Sequence, residues 1–207
     1  MQLSTRLRAT EQARTRWLQE QGIGSPAARV RAAVLSAYDF PNAGTVVDVG
    51  GDGMFLAFLL QGNTALRGIV ADRPPLAQKA RFNLQEEGVL ERCHVNAEHP
   101  FTALPYGGDL YVLNGILRKY GDAEASLLLK NCCQVLSSQS LAIIIERIVP
   151  TERVARPKTR ASASVSGWER TEGELRALLH KAGLRWRRML PTWAEVSVIE
   201  VSRAASC

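Results

Sequence analysis

Strand-like and helix-like segments alternate along most of this chain, and that alternation constrains the fold more than any single motif. Short, nearly continuous apolar runs predict strands at 45–49, 66–71, 92–97, 109–113 and 141–147. Helical patterns lie between or beside them, at 54–60, 76–87 and 123–136. Strands of this composition are buried on both faces, which is typical of a parallel sheet with helices on either side.

The two ends of the chain depart from this alternation. Helical patterns cover 3–21 and 26–38, and Ser25 followed by Pro26 is a helix-start signal. A Ser/Ala/Arg-rich loop is predicted at 151–167, and Thr171 with Glu174 three residues later predicts a capped helix. The final segment, "WRRMLPTWAEVSVIEVSR", alternates like a hairpin. We therefore predict an α/β sheet that is mostly parallel, with an antiparallel strand near the C-terminus.

Composition limits the classes of function. The chain has 207 residues, enough for one domain with a short appendage, and no apolar run approaches the roughly 20 residues of a membrane span. The N-terminus lacks the apolar core of a secretory signal, so the cytoplasm is the expected location. Four cysteines and three histidines show no ligand spacing, and no metal is expected. The net charge of +6 comes without a nucleic-acid-binding motif, which disfavours nucleic acid as a partner.

A glycine-rich turn follows the first predicted strand, in "TVVDVGGDGMFLAFLL". Gly50, Gly51 and Gly53 separate the strand from its helix, and Asp48 comes directly before them. Glycines at this place let the backbone turn sharply and approach a ligand at the helix N-terminus. Since ligands of such sheets bind beyond the carboxyl ends of the strands, this turn is the first candidate for a binding site.

Two further acids follow the next strands. Asp72 ends the second strand, a position where an acid accepts hydrogen bonds from ribose hydroxyls, and Glu98 follows the third. The turn lacks the G-x-G-x-x-G spacing of dinucleotide sites. This order of an acid, a glycine turn and a second acid favours a ligand in which a nucleoside carries an amino acid. Asp48 would then hold the α-amino group, and Glu98 would flank the base.

The fourth strand ends in "LNGILRKY", which places two adjacent cations, Arg118 and Lys119, at the same edge of the sheet. Asn114 closes this strand, and Glu146 closes the next. Two cations there are consistent with solvated loop charges, or with groups that act on a bound anion or carbonyl.

Several motifs in one order resemble the S-adenosylmethionine-dependent O-methyltransferases of small phenolic or hydroxylated metabolites, from about 27 to 201. They include "YDFPNAGTVVDVGG", "RGIVADRP", "GGDLYVLNGIL", "IIIERIVP" and "WERTEGELRALLHKAGL". The resemblance implies a Rossmann-like methyltransferase domain at 44–207, and helices at 1–43 that remain from a dimerisation region. It also implies S-adenosyl-L-methionine or S-adenosyl-L-homocysteine as cofactor. Asp72 would bind the ribose and Glu98 the adenine side, and the glycine turn, Asp48 and Asn114 would complete the cofactor site.

Three differences from the family pattern bear on function. The family turn usually reads Asp-Val-Gly-Gly-Gly-x-Gly, and "DVGGDG" is one residue shorter. The family carries His-Asp-Trp after the fourth strand, and this chain has Arg118, Lys119 and Tyr120 instead. The family also places a larger helical dimerisation domain before the sheet.

The replacement of the family's histidine matters most for catalysis. An arginine stays protonated and has no acceptor, so Arg118 cannot be a general base. The acids that flank that histidine in the family correspond to Glu146 and Glu169.

Three hypotheses follow. In the first, the chain methylates a hydroxylated or aromatic natural product, Arg118 binds its anionic form, and Glu146 or Glu169, or the substrate's own acidity, replaces the base. In the second, Arg118 polarises a carbonyl in a cyclisation or another lyase or isomerase reaction, with Glu146 as proton acceptor. In the third, the chain is an inactive partner subunit that docks through its N-terminal helices, and a homodimer through the same helices is an alternative.

Overall fold

A computed structural model describes residues 25–151 and 168–205, and these contain a seven-stranded sheet with the order β3-β2-β1-β4-β5-β7-β6. Strands β1 to β5 pair in parallel, and β7 inserts antiparallel between β5 and β6. The predicted α/β class, including the antiparallel strand near the C-terminus, is confirmed. The strands are β1 (Gly44–Val49), β2 (Leu66–Ala71), β3 (Cys93–Asn96), β4 (Leu110–Asn114), β5 (Leu141–Glu146), β6 (Leu184–Pro191) and β7 (Ser197–Arg203).

Five α-helices cover the sheet in the described part of the chain. They are α1 (Pro26–Ala37), α2 (Met54–Gly62), α3 (Pro74–Glu86), α4 (Asp122–Val135) and α5 (Glu172–Lys181). Two short 3₁₀ helices, Leu90–Arg92 and Leu117–Lys119, were not predicted from the sequence. The second of them carries the two adjacent cations that follow β4.

The central strands have a core on each face of the sheet. In β4, Leu110 and Val112 face the layer of α1, α2 and α3, whereas Tyr111 and Leu113 face α4 and α5. This alternation arises because successive strand residues point to opposite faces. Burial on both faces explains why the strands are continuous apolar runs. Because β1 to β5 run parallel, their carboxyl ends lie at one edge of the sheet.

Capping side chains set several helix ends. Ser25 Oγ accepts a hydrogen bond of 3.1 Å from the backbone N–H of Ala28, at the start of α1. The capping box predicted from Thr171 and Glu174 is present at the start of α5. Helix α3 begins earlier than predicted, because two consecutive prolines occupy its first turn.

Some predictions fall outside the described residues. These are the helix predicted at 3–21 and most of the loop predicted at 151–167. Within residues 25–151 and 168–205, no helix is long and apolar enough to cross a membrane. The same residues contain no group of three or more His, Cys, Asp or Glu side chains that could hold a metal ion.

Candidate functional site

A cavity of about 290 Å³ lies beyond the carboxyl ends of β1, β2 and β4, and we call it cavity A. Acidic, basic and apolar side chains line it together with two glycines of the turn that follows β1. They are Asp48, Gly50, Gly51, Asp52, Phe55, Asp72, Leu76, Lys79, Asn114 and Lys119. The sheet topology therefore places a ligand-sized space at the edge where the sequence predicted one.

The glycine turn leaves no room for side chains. Gly50 and Gly53 have φ values of 67° and 78°, which other residues rarely adopt. At Gly51, a Cβ would collide with the carboxylate of Asp48. The sequence of this turn thus brings bare backbone next to a buried acid.

Asp48 is the most unusual group in cavity A. It is 1% exposed, and within the described part of the chain neither carboxylate oxygen has a partner in hydrogen-bonding geometry. Burial, and then the charge of Asp52, raise its pKa from 3.8 to about 7, and the nearby backbone amide of Gly53 offsets this in part. A buried acid without a partner is costly, so Asp48 is suited to a ligand that brings a cationic hydrogen-bond donor.

Asp72 forms a second acidic wall of cavity A. It is 6% exposed, and Oδ1 accepts a hydrogen bond of 2.7 Å from the backbone N–H of Arg73. Burial raises its pKa, and several nearby charges, Lys119 among them, lower it in part. The same lysine lowers the pKa of Asp48, so its ammonium acts on both acids.

Glu98 does not join the other two acids. It is exposed on the turn after β3 and is not among the residues that line cavity A. The next residue, His99, is half-buried. His99 Nδ1 accepts a hydrogen bond of 3.2 Å from the backbone N–H of Phe101, and its charge acts on Asp72. Of the three predicted acids, Asp48 and Asp72 line cavity A, and the role of Glu98 stays a prediction.

A second cavity, of about 310 Å³, adjoins the first, and we call it cavity B. Three residues, Asp52, Phe55 and Asn114, line both cavities. The other lining residues come from α1, from the ends of β4 and β5, and from the segment before β7. They are Pro26, Ala27, Val30, Arg31, Gly115, Arg118, Ile145, Glu146, Arg147 and Val196.

Glu146 and Arg118 lie together in cavity B. Glu146 is 7% exposed, and its Oε1 accepts a hydrogen bond of 3.1 Å from the backbone N–H of Arg118. Burial raises the pKa of Glu146 from 4.5 to about 7, although this amide and the Arg118 guanidinium lower it in part. A carboxyl with such a pKa exchanges protons readily near neutral pH.

Glu169 lies outside the lining of both cavities. Its Oε1 is 3.5 Å from Nη1 of Arg147, which in turn lies 3.3 Å from Oε2 of Glu195. Arg147 lines cavity B, so Glu169 acts on that cavity through an arginine. This geometry differs from that of Glu146, whose carboxylate itself lines the cavity.

The turn that carries the two cations is held by Arg170. Its guanidinium donates to the backbone carbonyls of Leu117 and Tyr120, at 3.0 and 2.9 Å, and to the Asp122 carboxylate at 3.0 Å. The backbone N–H of Trp168 also donates to the carbonyl of Arg118, at 2.7 Å. These bonds hold the backbone that carries Arg118 and Lys119.

Several lining residues could not be predicted from the sequence because distant segments supply them. Arg31 comes from α1, which lies outside the strand-end pattern, and Arg147 was taken as the end of a strand. Lys79 lies one turn into α3, and its Nζ is 3.6 Å from Oδ2 of Asp52. Arg31 and Lys79 are each the sixth residue of their helix, and Arg147 directly follows β5, so no local motif marks them as lining residues.

A family model for O-methyltransferase domains matches residues 7–185 of the chain. The chain is 32% identical over 199 residues to a mitomycin biosynthesis 6-O-methyltransferase from Streptomyces lavendulae, a match that covers 94% of this chain and 57% of that relative. The structure of the mitomycin 7-O-methyltransferase MmcR superposes with a TM-score of 0.76 at 30% identity, over 99% of this chain and 61% of MmcR.

A further similar structure is the S-adenosylhomocysteine-bound form of CalO1, a methyltransferase in calicheamicin biosynthesis. Its TM-score is 0.71 at 28% identity, over 93% of this chain and 58% of CalO1. The chain thus spans less than two thirds of the length of each of these three proteins.

Proposed function

The chain belongs to the O-methyltransferase domain family, and from that membership we propose that it methylates a hydroxyl group of a small natural product. Cavity A would hold S-adenosyl-L-methionine and cavity B the acceptor. The observation that carries this proposal is the adjacency of the two cavities, one with a buried acid that lacks a partner and the other with a buried acid whose pKa is near 7.

The residues of cavity A fit an aminoacyl nucleoside. The partnerless oxygens of Asp48 would accept hydrogen bonds from an α-amino group, beside the bare backbone of Gly50 and Gly51. Asp72 has a carboxylate oxygen available for ribose hydroxyls. Asn114 and Phe55, on the wall shared with cavity B, would contact the part of the cofactor that faces the acceptor. When bound, S-adenosyl-L-methionine supplies an electrophilic methyl group.

Glu146 would take the proton of the acceptor hydroxyl. On the resemblance, Arg118 would take the place of the family's histidine. The carboxylate beside it is buried, lines cavity B and has a pKa near the usual working range of a general base. Arg118 would stabilise the oxyanion that forms as the proton leaves, by charge-assisted hydrogen bonds. Glu169 would help to position Arg147 and would not itself receive the proton.

We propose the methyltransferase domain at 44–207, with the helices at 1–43 as an extension through which a homodimer or a hetero-partner assembles. Helix α1 belongs to this extension and forms one wall of cavity B. The extension would therefore contribute to the acceptor site as well as to any assembly.

Binding of S-adenosyl-L-homocysteine, measured by titration calorimetry, tests the cofactor half of the proposal. We expect the wild-type protein to bind it, and Asp48→Asn to weaken that binding at least about tenfold, the loss of one charge-assisted hydrogen bond. Asp39→Asn, an exposed aspartate outside both cavities, is the matched control and should bind normally.

Mass spectrometry of mixtures with hydroxylated aromatic compounds and S-adenosyl-L-methionine tests methyl transfer. Products heavier by one methylene unit would support it. Cofactor binding followed by acceptor conversion without that mass gain would favour an electrophilic role for Arg118 in a cyclase, lyase or isomerase. Absence of cofactor binding at millimolar concentration would refute the proposal and leave the inactive-partner hypothesis.

A further inference from the structure

Cavity A contains two lysines, and they differ in what surrounds their charges. The Nζ of Lys79 lies 3.6 Å from Oδ2 of Asp52, which lines the same cavity. Lys119 is exposed in the lining, and among the described residues no carboxylate lies within ion-pair distance of its ammonium. The charge of Lys119 is therefore open to a ligand that enters the cavity.

The strand order places Lys119 and Asp72 after strands on opposite sides of β1. Strand β1, which carries Asp48, pairs with β2 on one side and with β4 on the other. Asp72 directly follows β2, and Lys119 lies in the 3₁₀ helix that follows β4. All three side chains line cavity A, and the Lys119 charge lowers the pKa of both acids. Its electrostatic effect therefore extends across the cavity.

The cofactor proposed for this cavity differs in charge before and after methyl transfer, and the difference lies at its sulfur. In the binding mode proposed above, Asp72 binds the ribose and Asp48 binds the α-amino group. The sulfur joins the amino acid to the ribose, so it would lie between the two acids on which Lys119 acts. In S-adenosyl-L-methionine this sulfur is a sulfonium cation, whereas in S-adenosyl-L-homocysteine it is a neutral thioether. A nearby ammonium disfavours the sulfonium and has little effect on the thioether.

We propose that Lys119 makes cavity A discriminate between the two forms of the cofactor, in favour of the demethylated form. This inference rests on the cofactor half of the proposed function. Lys119 is a specificity-determining residue of cavity A, distinct from the groups in cavity B that act on the acceptor. As a consequence, S-adenosyl-L-homocysteine competes strongly with S-adenosyl-L-methionine, and methyl transfer slows as the demethylated form accumulates.

Paired affinities test this role of Lys119. S-adenosyl-L-methionine and S-adenosyl-L-homocysteine are titrated separately by calorimetry, without an acceptor, at a pH above the pKa of about 7 of Asp48, so that this acid is ionised. The readout is the dissociation constant of the methionine form divided by that of the homocysteine form. Lys119→Met should lower this ratio about threefold or more, since a unit charge several ångströms away in a partly solvated cavity has an effect of that order.

Further variants separate charge from shape. Lys119→Arg keeps the cation and should keep the ratio, whereas Lys119→Glu reverses the charge and should lower the ratio more than Lys119→Met does. Lys130→Met is the matched control, since Lys130 is exposed on α4 outside cavity A and should leave the ratio unchanged. Sinefungin, which carries an ammonium group in place of the methylated sulfonium, should follow S-adenosyl-L-methionine through the series.

The readout separates this role from methyl transfer. A ratio that neither Lys119→Met nor Lys119→Glu lowers overturns the proposal, and the proposed function stands if acceptors are still methylated. If the ratio responds to these substitutions but no hydroxylated acceptor is methylated, the proposed function fails and the role of Lys119 stands. If neither form of the cofactor binds the wild-type protein, both fail together. Thermal unfolding of each variant verifies that a change in affinity is not a loss of folding.

Discussion

Arg118 and Lys119 are neighbours in the chain, yet they line different cavities: Arg118 lines cavity B and Lys119 lines cavity A. Both lie in the 3₁₀ helix Leu117–Lys119. Arg170 stabilises this turn by donating hydrogen bonds to its backbone carbonyls. The pair of cations that follows β4 therefore serves two sites. Substitutions at these adjacent positions should give different phenotypes.

Lys119→Met should make the acids of cavity A harder to ionise. The ammonium lowers the pKa of both Asp48 and Asp72, so its removal raises both. We expect the pH midpoint for S-adenosyl-L-homocysteine binding to move upward by less than about one unit, because Lys119 is one of several charges nearby. Calorimetry across a pH series measures the shift. Lys130→Met, at an exposed position on α4, should leave the midpoint in place.

Arg118→Ala should lower turnover while S-adenosyl-L-homocysteine still binds. The loss of a charged donor next to the forming oxyanion predicts a decrease on the order of 10²-fold. The guanidinium also lowers the pKa of Glu146, so the pH at which turnover reaches half its maximum should rise in the variant. Steady-state pH profiles measure both the decrease in turnover and the upward shift of this pH. Unchanged turnover would mean that the side chain is idle.

Arg118→His places a histidine after β4, at the position where the resemblance to the family implies a base. If the site has decayed from a conventional methyltransferase, we expect methylation to rise above that of Arg118→Ala. If Glu146 is the base, the two variants should methylate at similar rates. Product formation measured by mass spectrometry at equal cofactor saturation separates the two.

Glu146→Gln should remove the basic group while it keeps the shape of cavity B. Wild-type turnover should increase as pH rises through about 7, because Glu146 accepts a proton only when ionised. In the variant we expect a decrease of about 10²–10⁴-fold and the loss of that limb of the pH profile. Glu169→Gln is the control. Since its carboxylate lies outside the cavity, turnover should fall by much less.

Asp48→Asn should stabilise the ligand-free protein at neutral and higher pH while it weakens cofactor binding. Burial raises the pKa of Asp48 from 3.8 in the unfolded chain to about 7 in the folded protein. Below pH 3.8 the carboxyl is neutral in both states, so its ionisation does not affect stability. As pH rises between these values the unfolded state ionises first, and stability falls by several kcal/mol, since one pKa unit corresponds to about 1.4 kcal/mol. Urea unfolding across this pH range should show the decrease in the wild-type protein and a smaller one in the variant.

Arg170→Met should destabilise the turn that carries both cations. Arg170 is 4% exposed and donates to three backbone carbonyls as well as to Asp122. Loss of these donors leaves buried carbonyls unsatisfied, and we expect a decrease of about 2–4 kcal/mol in the free energy of unfolding. Arg81 is exposed on α3, and Arg81→Met should change the free energy of unfolding by less than about 0.5 kcal/mol. Equal effects of the two substitutions would contradict the role of Arg170.

The fold was predictable because local patterns in this sequence agree with one another. Strand β2 was predicted with the same bounds that the structure has, and β1 and β5 differ by one residue, since apolar β-branched runs end at glycine or charge. The strand β4 was predicted one residue too early. Asp109 is not part of the strand because its side chain accepts a hydrogen bond of 2.7 Å from the backbone N–H of Thr45.

The site was less predictable because it depends on long-range packing. Asp48 and Asp72 lie at strand ends, which sequence patterns locate well, and both line cavity A. Glu98 is exposed and does not line cavity A, because the path of a turn depends on packing that the strand pattern does not encode. Arg31 lines cavity B together with residues at the ends of β4 and β5 that are distant in the sequence, and no local pattern indicates that.

The wall formed by Asp52, Phe55 and Asn114 belongs to both cavities, and this gives the two ligands a thermodynamic link. Whatever rearrangement of these side chains one ligand induces is already in place when the other arrives. By linkage, the factor by which the first ligand changes the affinity of the second equals the factor in the reverse direction. Substitution of Asn114 should therefore alter that cooperativity, even where each ligand alone binds with little change.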